Sequence, residues 1–399
     1  MANVLITTLG RGFRADGGYR KAIYKMPDGT TSHATPFIGM ALVEMLPHID
    51  RLVVLGTPGS IWDAWWQCDE VLLEHHEDLF ERISSNVGKE VKDESGLREL
   101  AGVLGASIKK SVECIYISES FDTPSQLGIL SVISSIANKN DCVFIDVTHG
   151  FRHLPMLELL SAFLNRGKFH VCSIFYGAYE KTEEGITPVI DLAGLMNLQE
   201  WIEAMAVLRE TGSVVPLSRI PSMERFRADL EQYQFFVQMN NVGNARGCSN
   251  RIRGLINSGM LPPEGELFKE NLLSIFDWGA DQDYAKRQLA QAKTALKTGD
   301  YLRAIILLNE ATISACVDKS DQVLNVEARR VAEDKLYRKG ERTWHLLRRL
   351  RNSTAHDGVR NDNDEREVKR MRTNRDGFEE GMRKIVAWVE SQVTGSGKA

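Results

Sequence analysis

Ile145-Asp-Val-Thr-His-Gly-Phe-Arg152 decides the fold. An apolar, β-branched run from Val143 to Val147 stops at a small polar turn, and an apolar helical pattern from Leu154 to Asn165 follows. Strand, glycine turn and helix in that order form one βα unit of a parallel sheet. Working outward, similar short runs occur at Val4 to Thr8, Leu52 to Leu55, Cys114 to Ile117 and Val171 to Tyr176, with a weaker one at Pro188 to Leu192. Helical patterns lie between them at Phe37 to Leu46, Ile61 to Ile83 and Ser125 to Ala137. The alternation predicts an α/β fold with a doubly wound, mainly parallel sheet covered by helices on both faces.

After about Gly194 the β-type runs stop, and a charged, periodic, Leu/Ala/Glu/Arg-rich sequence predicts an all-α second half. Gly299-Asp300 is the N-terminal signal of a helix whose Leu302, Ile305, Ile306 and Ile313 share one face. Ala295 to Thr312 resembles half of a tetratricopeptide hairpin, but without a second copy at the required spacing it does not predict a repeat array. Gly, Ser and two prolines cluster between Glu210 and Pro221, which reads as a hinge. The expected organisation is 1–195 as the α/β domain, 196–225 as a connecting helical region, 226–393 as the helical domain and 394–399 as a flexible tail.

A chain of 399 residues exceeds what one core usually supports, in agreement with two domains. No apolar run approaches the roughly 20 residues that cross a bilayer, and the start Met-Ala-Asn-Val-Leu-Ile lacks the basic flank of a signal peptide. The expectation is a cytoplasmic protein with no membrane partner. Cys68, Cys114, Cys142, Cys172, Cys248 and Cys316 form no CxxC pair and read as buried thiols in a reducing compartment. A net charge of -5 argues against coating nucleic acid through bulk electrostatics while leaving room for a local basic site.

In an open parallel sheet, ligands bind beyond the carboxyl ends of the strands. Three of the turns there are small and polar: Thr8-Leu-Gly-Arg-Gly12, Gly56-Thr-Pro-Gly-Ser60 and Asp146-Val-Thr-His-Gly-Phe-Arg152. Glycine lets the backbone approach a ligand, a helix start offers N–H groups to an anion, and Arg11 and Arg152 suit phosphate oxygens. None of the turns is GxGxxG or a Walker A loop, so a dinucleotide or P-loop site is not supported. Tight turns and a helix cap at Thr148 are the purely structural explanation. His149 and His153 have the i, i+4 spacing of metal ligands on a helix, but no third ligand is evident, and the expectation is no metal.

Asp146-Val-Thr-His-Gly150 resembles the Asp-x-Thr-His-Gly signature of CRISPR-associated CARF proteins, whose Rossmann-like domain senses cyclic oligoadenylate. The order of features looks similar over roughly the first 190 residues. The resemblance implies that Gly10, Arg11, Gly56, Thr57, Thr148, His149, Gly150 and Arg152 lie in or near the second-messenger pocket. Only 148–152 matches the signature tightly; the others follow from their places in the fold.

In the helical half, Trp344-His-Leu-Leu-Arg-Arg-Leu-Arg-Asn-Ser-Thr-Ala-His356 runs an amphipathic helix toward a polar break at Asp357-Gly358. RNA cleavage without metal needs a proton taken from the 2′-OH, a proton given to the 5′-oxygen, and positive charge on the phosphate. Histidine suits the first two and arginine the third. Asn352 and His356 share a helix face, so Asn352 is placed to orient the imidazole. Arg351 lies about 140° round the helix from His356, and the two converge only through distortion or a second subunit. Arg348 and Arg349 add positive charge for RNA, and His345 reads as a packing or surface histidine. The competing explanation is a solvated Arg-rich helix that ends in a surface histidine.

Arg351, Asn352 and His356 resemble the Arg-Asn-x-x-x-His motif of HEPN ribonucleases, and a CARF domain followed by a HEPN domain is a known family architecture. The resemblance implies a homodimeric endoribonuclease of type III CRISPR defence with Arg351, Asn352 and His356 catalytic, single-stranded RNA as substrate, and 2′,3′-cyclic phosphate and 5′-hydroxyl products. No cofactor or metal is expected for catalysis. The activator would be cyclic oligoadenylate: a pocket across a two-fold axis matches a ring of four or six adenylates, and the family resemblance favours four. The rival reading is a nucleotide-sensing protein whose helical half recruits a partner or nucleic acid without catalysis.

Overall fold

The structure, a computed structural model, describes residues 1–11, 14–15, 18–68, 75–318, 320–356 and 365–395. It divides into two compact units at Gln199/Glu200.

The first unit is built on a seven-stranded sheet: β1 (Asn3–Leu9), β2 (Ile23–Lys25), β3 (Arg51–Gly56), β4 (Ser111–Tyr116), β5 (Cys142–Asp146), β6 (His170–Gly177) and β7 (Ile186–Asp191). Their spatial order is β2-β7-β6-β5-β1-β3-β4, parallel throughout except where β7 runs antiparallel to β6. From β1 the chain builds outward through β3 and β4, then returns to β1's other side as β5, so the strand order reverses between β1 and β5. Along β1 the side chains alternate between two cores. Leu5 and Leu9 pack with α1 (Ile38–Met45), α2 (Glu77–Asn86) and α3 (Glu94–Ile108). Val4 and Ile6 pack with α4 (Thr123–Ile136) and α5 (His153–Leu164). Both faces are therefore covered, as the near-continuous apolar strands require.

Three parts of this unit differ from the sequence reading. The segment read as one helix from Ile61 to Ile83 is a 3-10 turn at Trp62–Gln67 and then α2 from Glu77, with 69–74 outside the described residues. The turn is pinned where it starts: Ile61 N donates to Gly10 O at 3.0 Å and Trp62 Nε1 to Thr57 O at 2.9 Å, so tertiary bonds override periodicity. Helix α3 carries Gly96, Gly102 and Gly105, which weaken its helical signature. Burial of Leu97, Leu100 and Leu104 and an Asp93 cap accepting from Gly96 N at 2.9 Å hold it nonetheless. Strand β2, three residues long, exists through its pairing with β7. The thiols also differ: Cys248 is buried, whereas the other five are partly exposed.

Helix α6 (Gly194–Thr211) begins in the first unit and continues into the second. The second unit then consists of α7 (Glu224–Gln238), α8 (Val242–Asn257), α9 (Lys269–Phe276), α10 (Tyr284–Lys297), α11 (Tyr301–Ala315), α12 (Val326–Lys339), α13 (Arg342–His356), α14 (Glu365–Thr373) and α15 (Arg375–Gly395), with short turns between them. Of segment 196–225, read as a connector containing a hinge, residues 200–225 are part of this unit: Trp201, Val214 and Leu217 are fully buried, and Val214 N donates to Gln234 Oε1 at 2.9 Å. Gly299, at φ +76°, turns α10 back into α11, and Asp300 caps α11 at Arg303 N. The single apolar face expected for α11 is wider, because α10, α12, α13 and α15 all pack on it. Ala304, Leu307, Leu308 and Ala311 are buried, and Leu302 is the exposed position. Helix α15 extends to Gly395, and 396–399 lie outside the described residues.

Helix α13 buries Trp344, Leu347 and Leu350 on one side. Trp344 closes a small cluster with Ile313, Ala332 and Leu336. Trp344→Ala is expected to destabilise the helical unit by about 3–5 kcal/mol, measured by urea unfolding of the full chain. Parent-like stability would contradict this placement of α13.

Candidate functional site

Parallel pairing sets Thr7 opposite Asp146 and Leu9 opposite Gly56, so three chain segments leave the sheet at one level. At the reversal between β1 and β5 the two following turns touch. A Cβ on Gly10 would lie 3.0 Å from the backbone N of Gly150, and Gly150 adopts φ +103°, a conformation that favours glycine. These glycines let two backbones meet where an open α/β sheet presents its ligand crevice.

Beneath them lies a buried polar layer. Asp146 is fully buried; its carboxylate accepts from Thr7 Oγ1 at 2.5 Å and from Thr148 N at 3.0 Å. Burial pushes its pKa up, against the opposing pull of His149 and of these hydrogen bonds. Burial likewise lowers the pKa of His149, against the pull of Asp146. Glu158, on α5, accepts from Thr8 Oγ1 and is 2% exposed. Burial raises its pKa to about 8; the Thr8 hydrogen bond opposes the shift and Asp146 adds to it. At neutral pH Glu158 is mostly protonated. It was missed in the sequence, although its one signal was there: a lone carboxylate between Leu154 and Ala162 in the i, i+4 stripe that α5 buries.

The residues singled out from sequence take different places round this layer. Thr148 Oγ1 accepts from Gly177 N at 2.8 Å and so ties the turn to β6 instead of capping α5. The His149 ring stacks on Phe37 at 5.8 Å, while His153 meets Phe121 at 5.0 Å and Phe151 at 6.0 Å, so the two imidazoles have different neighbours. Arg11 forms a forked ion pair with Glu119, 2.9 Å to each oxygen, and its guanidinium lies 5.5 Å from the centre of the Phe151 ring. Burial opposes ionisation of Glu119, but hydrogen bonds from Thr57, Arg11 and Gly59 outweigh it and lower the pKa. Glu119 was also missed, since it lies in a loop with no motif of its own. Gly56 makes room for Trp62, whose ring carbon would be 2.6 Å from a Cβ there, and Thr57 is buried with its hydroxyl against Ser60. Arg152 is exposed at the start of α5, whose first turn has no side-chain cap. Gly10, Arg11, His149, Gly150 and Arg152 thus gather at the reversal point, while Gly56 and Thr57 shape the turn beside it. Gly12, like Asp357 and Gly358, lies outside the described residues.

In the second unit Arg351, Asn352 and His356 lie on the last turns described of α13, with Asn352 and His356 exposed and Arg351 partly so. The helix is regular through His356, so the 140° offset stands. Arg351 Nη1 donates to Asn352 Oδ1 at 3.0 Å, so Asn352 holds the neighbouring guanidinium instead of the imidazole. Arg348 is occupied by Glu333 at 3.3 Å and lies over Tyr337, which His345 also meets edge-on at 5.2 Å. Those two residues fasten α13 to α12.

The first unit is a doubly wound α/β domain with two glycine turns and an uncapped helix start at its reversal point, the position where open α/β sheets present a ligand crevice. Residues 4–179 match the family described as the CARF domain of the CRISPR system endoribonuclease Csx1. The CRISPR-associated protein MJ1674 of Methanocaldococcus jannaschii is 25% identical over 285 residues, covering 64% of this chain and 44% of that protein, so the match spans under half of the relative. The solved structure of Enterococcus italicus Csm6 bound to cyclic hexa-2′-fluoro-hexa-dAMP is similar at a TM-score of 0.41 and 11% identity, over 99% of this chain and 94% of that one. The first unit is a CARF domain of the Csx1 type, and the chain is similar to a CRISPR-associated protein.

Between the ordinary glutamate range and about 8, folded Glu158 keeps a proton that the unfolded chain has released, so its contribution to stability falls as pH rises through that window. Glu158→Gln should therefore gain on the parent by roughly 1–3 kcal/mol between about pH 5 and about pH 9, measured by urea unfolding. Parallel pH trends in the two proteins would contradict a protonated Glu158.

Proposed function

We propose that this protein is a cyclic oligoadenylate-activated, metal-independent endoribonuclease that works as a cytoplasmic homodimer in type III CRISPR defence. The observation that carries the nuclease reading is the exposure of His356 and Asn352 beside Arg351 on a helix whose other side is sealed by Trp344, Leu347 and Leu350. Among the described residues Arg351 meets an amide and no carboxylate, which leaves its charge available to a phosphate. His356 takes the proton from the 2′-OH and returns one to the leaving 5′-oxygen, and Arg351, steadied by Asn352, stabilises the phosphorane-like charge. The 2′-oxygen attacks the adjacent phosphorus as the bond to the 5′-oxygen breaks, leaving a 2′,3′-cyclic phosphate and a 5′-hydroxyl.

A second copy supplies what one helix cannot. On a regular helix Arg351 and His356 diverge by about 140°, so two α13 helices facing each other bring the arginine of one toward the histidine of the other. An apolar stripe on α5 supports a dimer of the CARF units: Met156, Leu160 and Leu164 recur at i, i+4 and i+8 and are exposed. Cyclic oligoadenylate would lie on the Gly10/Gly150 floor with its phosphates toward Arg152 and the start of α5. A two-fold pocket admits four or six adenylates, with four preferred. No described helix is long and apolar enough to cross a membrane.

With cyclic tetra-adenylate present, the full chain should cut fluorescent single-stranded RNA, and His356→Ala should lose at least about 100-fold in rate. Parent-like cleavage by that variant would move the chemistry elsewhere. Excess EDTA should leave the parent rate unchanged; abolition would contradict a metal-independent mechanism.

A further inference from the structure

The helical unit contains a cavity of about 1210 Å³ between α6, α7, α9, α10 and the first turn of α11. It is larger than most small-molecule sites, and the CARF floor and the Arg351 motif contribute no lining residue. Arg303 lines it, donating to Gln291 Oε1 at 2.6 Å. Among the described residues no carboxylate pairs with this guanidinium, and its Nε is shielded from water without an acceptor. Burial lowers the Arg303 pKa against the opposing pull of Asp300 and Tyr233, which is what an uncompensated cation experiences.

The surroundings hold Arg303 in place without neutralising it. Gln291 is 3% exposed and hydrogen bonds to Tyr233, whose hydroxyl accepts from Trp278 Nε1 at 3.2 Å. The two acidic side chains that line the cavity are engaged elsewhere, Asp277 by Arg253 at 3.1 Å and Asp281 by Asp283 N at 2.8 Å. Along α10, Lys286, Lys293 and Lys297 stand at i, i+7 and i+11 on the face that lines the cavity. Lys293 is paired with Glu390 at 2.5 Å; Lys286 and Lys297 have no carboxylate partner among the described residues. Phe268, stacked on Trp201 with the rings 3° from parallel, and Trp278 add flat apolar wall.

We infer that this cavity binds a nucleoside phosphate, with the phosphate toward Arg303 and the α10 lysines and the base against Phe268 and Trp278. A desolvated, unpaired guanidinium is costly, and a phosphate offsets that cost through charge-assisted hydrogen bonds. Aromatic walls beside a row of cations are what a base and its phosphate need together. The nucleoside phosphate can arrive as a free mononucleotide or as one unit of a single-stranded RNA. In the second case the cavity would position substrate, a role that rests on the nuclease reading.

The test is binding, measured on the full-length His356→Ala chain so that RNA stays intact. Uridylates are used to avoid the adenylate specificity proposed for the CARF unit. Fluorescein-labelled hexauridylate is titrated by polarisation, and 5′-UMP by tryptophan fluorescence and by competition. Saturable binding should weaken at least about tenfold in Arg303→Gln and in the exposed pair Lys286→Glu/Lys297→Glu, which leaves the core untouched. Competition by UMP would identify a mononucleotide site; binding of the hexamer alone would identify a path for an RNA strand. Absence of binding by both probes, or binding that both variants leave unchanged, would overturn the inference. Cleavage is not the readout, so this result and the role of His356 are decided separately.

Discussion

The backbones of Gly10 and Gly150 come together at the reversal of strand order, and the carboxyl edge of the sheet is shaped by that approach. Neither position tolerates a Cβ without displacing backbone or the Leu154 and Thr8 side chains. The contact lets the turns after β1 and β5 form one continuous floor, beside which Arg11, His149 and Arg152 are arrayed. Its support is unusual for an interior. Two carboxyl groups, Asp146 and Glu158, lie under the turns, one linked to Thr7 and the other to Thr8, on adjacent residues of β1. Such a layer is stable only with one carboxyl protonated or its charge well bonded, and Glu158 takes the protonated role.

The helical unit follows a different logic. Helix α11 is its central element, buried by α10, α12, α13 and α15, and α13 is held through Trp344, Leu347 and Leu350. Fixing one side of α13 that firmly leaves the other side, with Asn352 and His356, exposed. Arg348 and His345, on the same helix, are used for packing against Glu333 and Tyr337. Basic residues in one short segment thus divide between attachment and the motif.

Much of this was legible in the sequence. The strands were visible because parallel strands buried on both faces read as unbroken β-branched runs, and the Asp146-to-Gly150 turn because a glycine and a buried acid end such a strand. Residues that act through distant partners were not. Glu119 matters because the fold carries it to Arg11, and Glu158 because β1 brings Thr8 above it. Strand β2 depends on pairing with residues far along the chain, and the cavity round Arg303 is assembled from five helices, none of which signals it alone. The Arg351-to-His356 spacing was readable as a motif, whereas the preference of Asn352 for the adjacent guanidinium required coordinates.

The proposed function makes the glycine floor half of a two-fold pocket for a cyclic oligoadenylate. Calorimetric titration of cyclic tetra-adenylate into the full chain tests it most directly, beside Gly10→Val, whose side chain would intrude on the Gly150 backbone. The expected result is one ring bound per two chains and loss of binding in the variant. One ring per chain, or unchanged affinity with valine at that position, would contradict it.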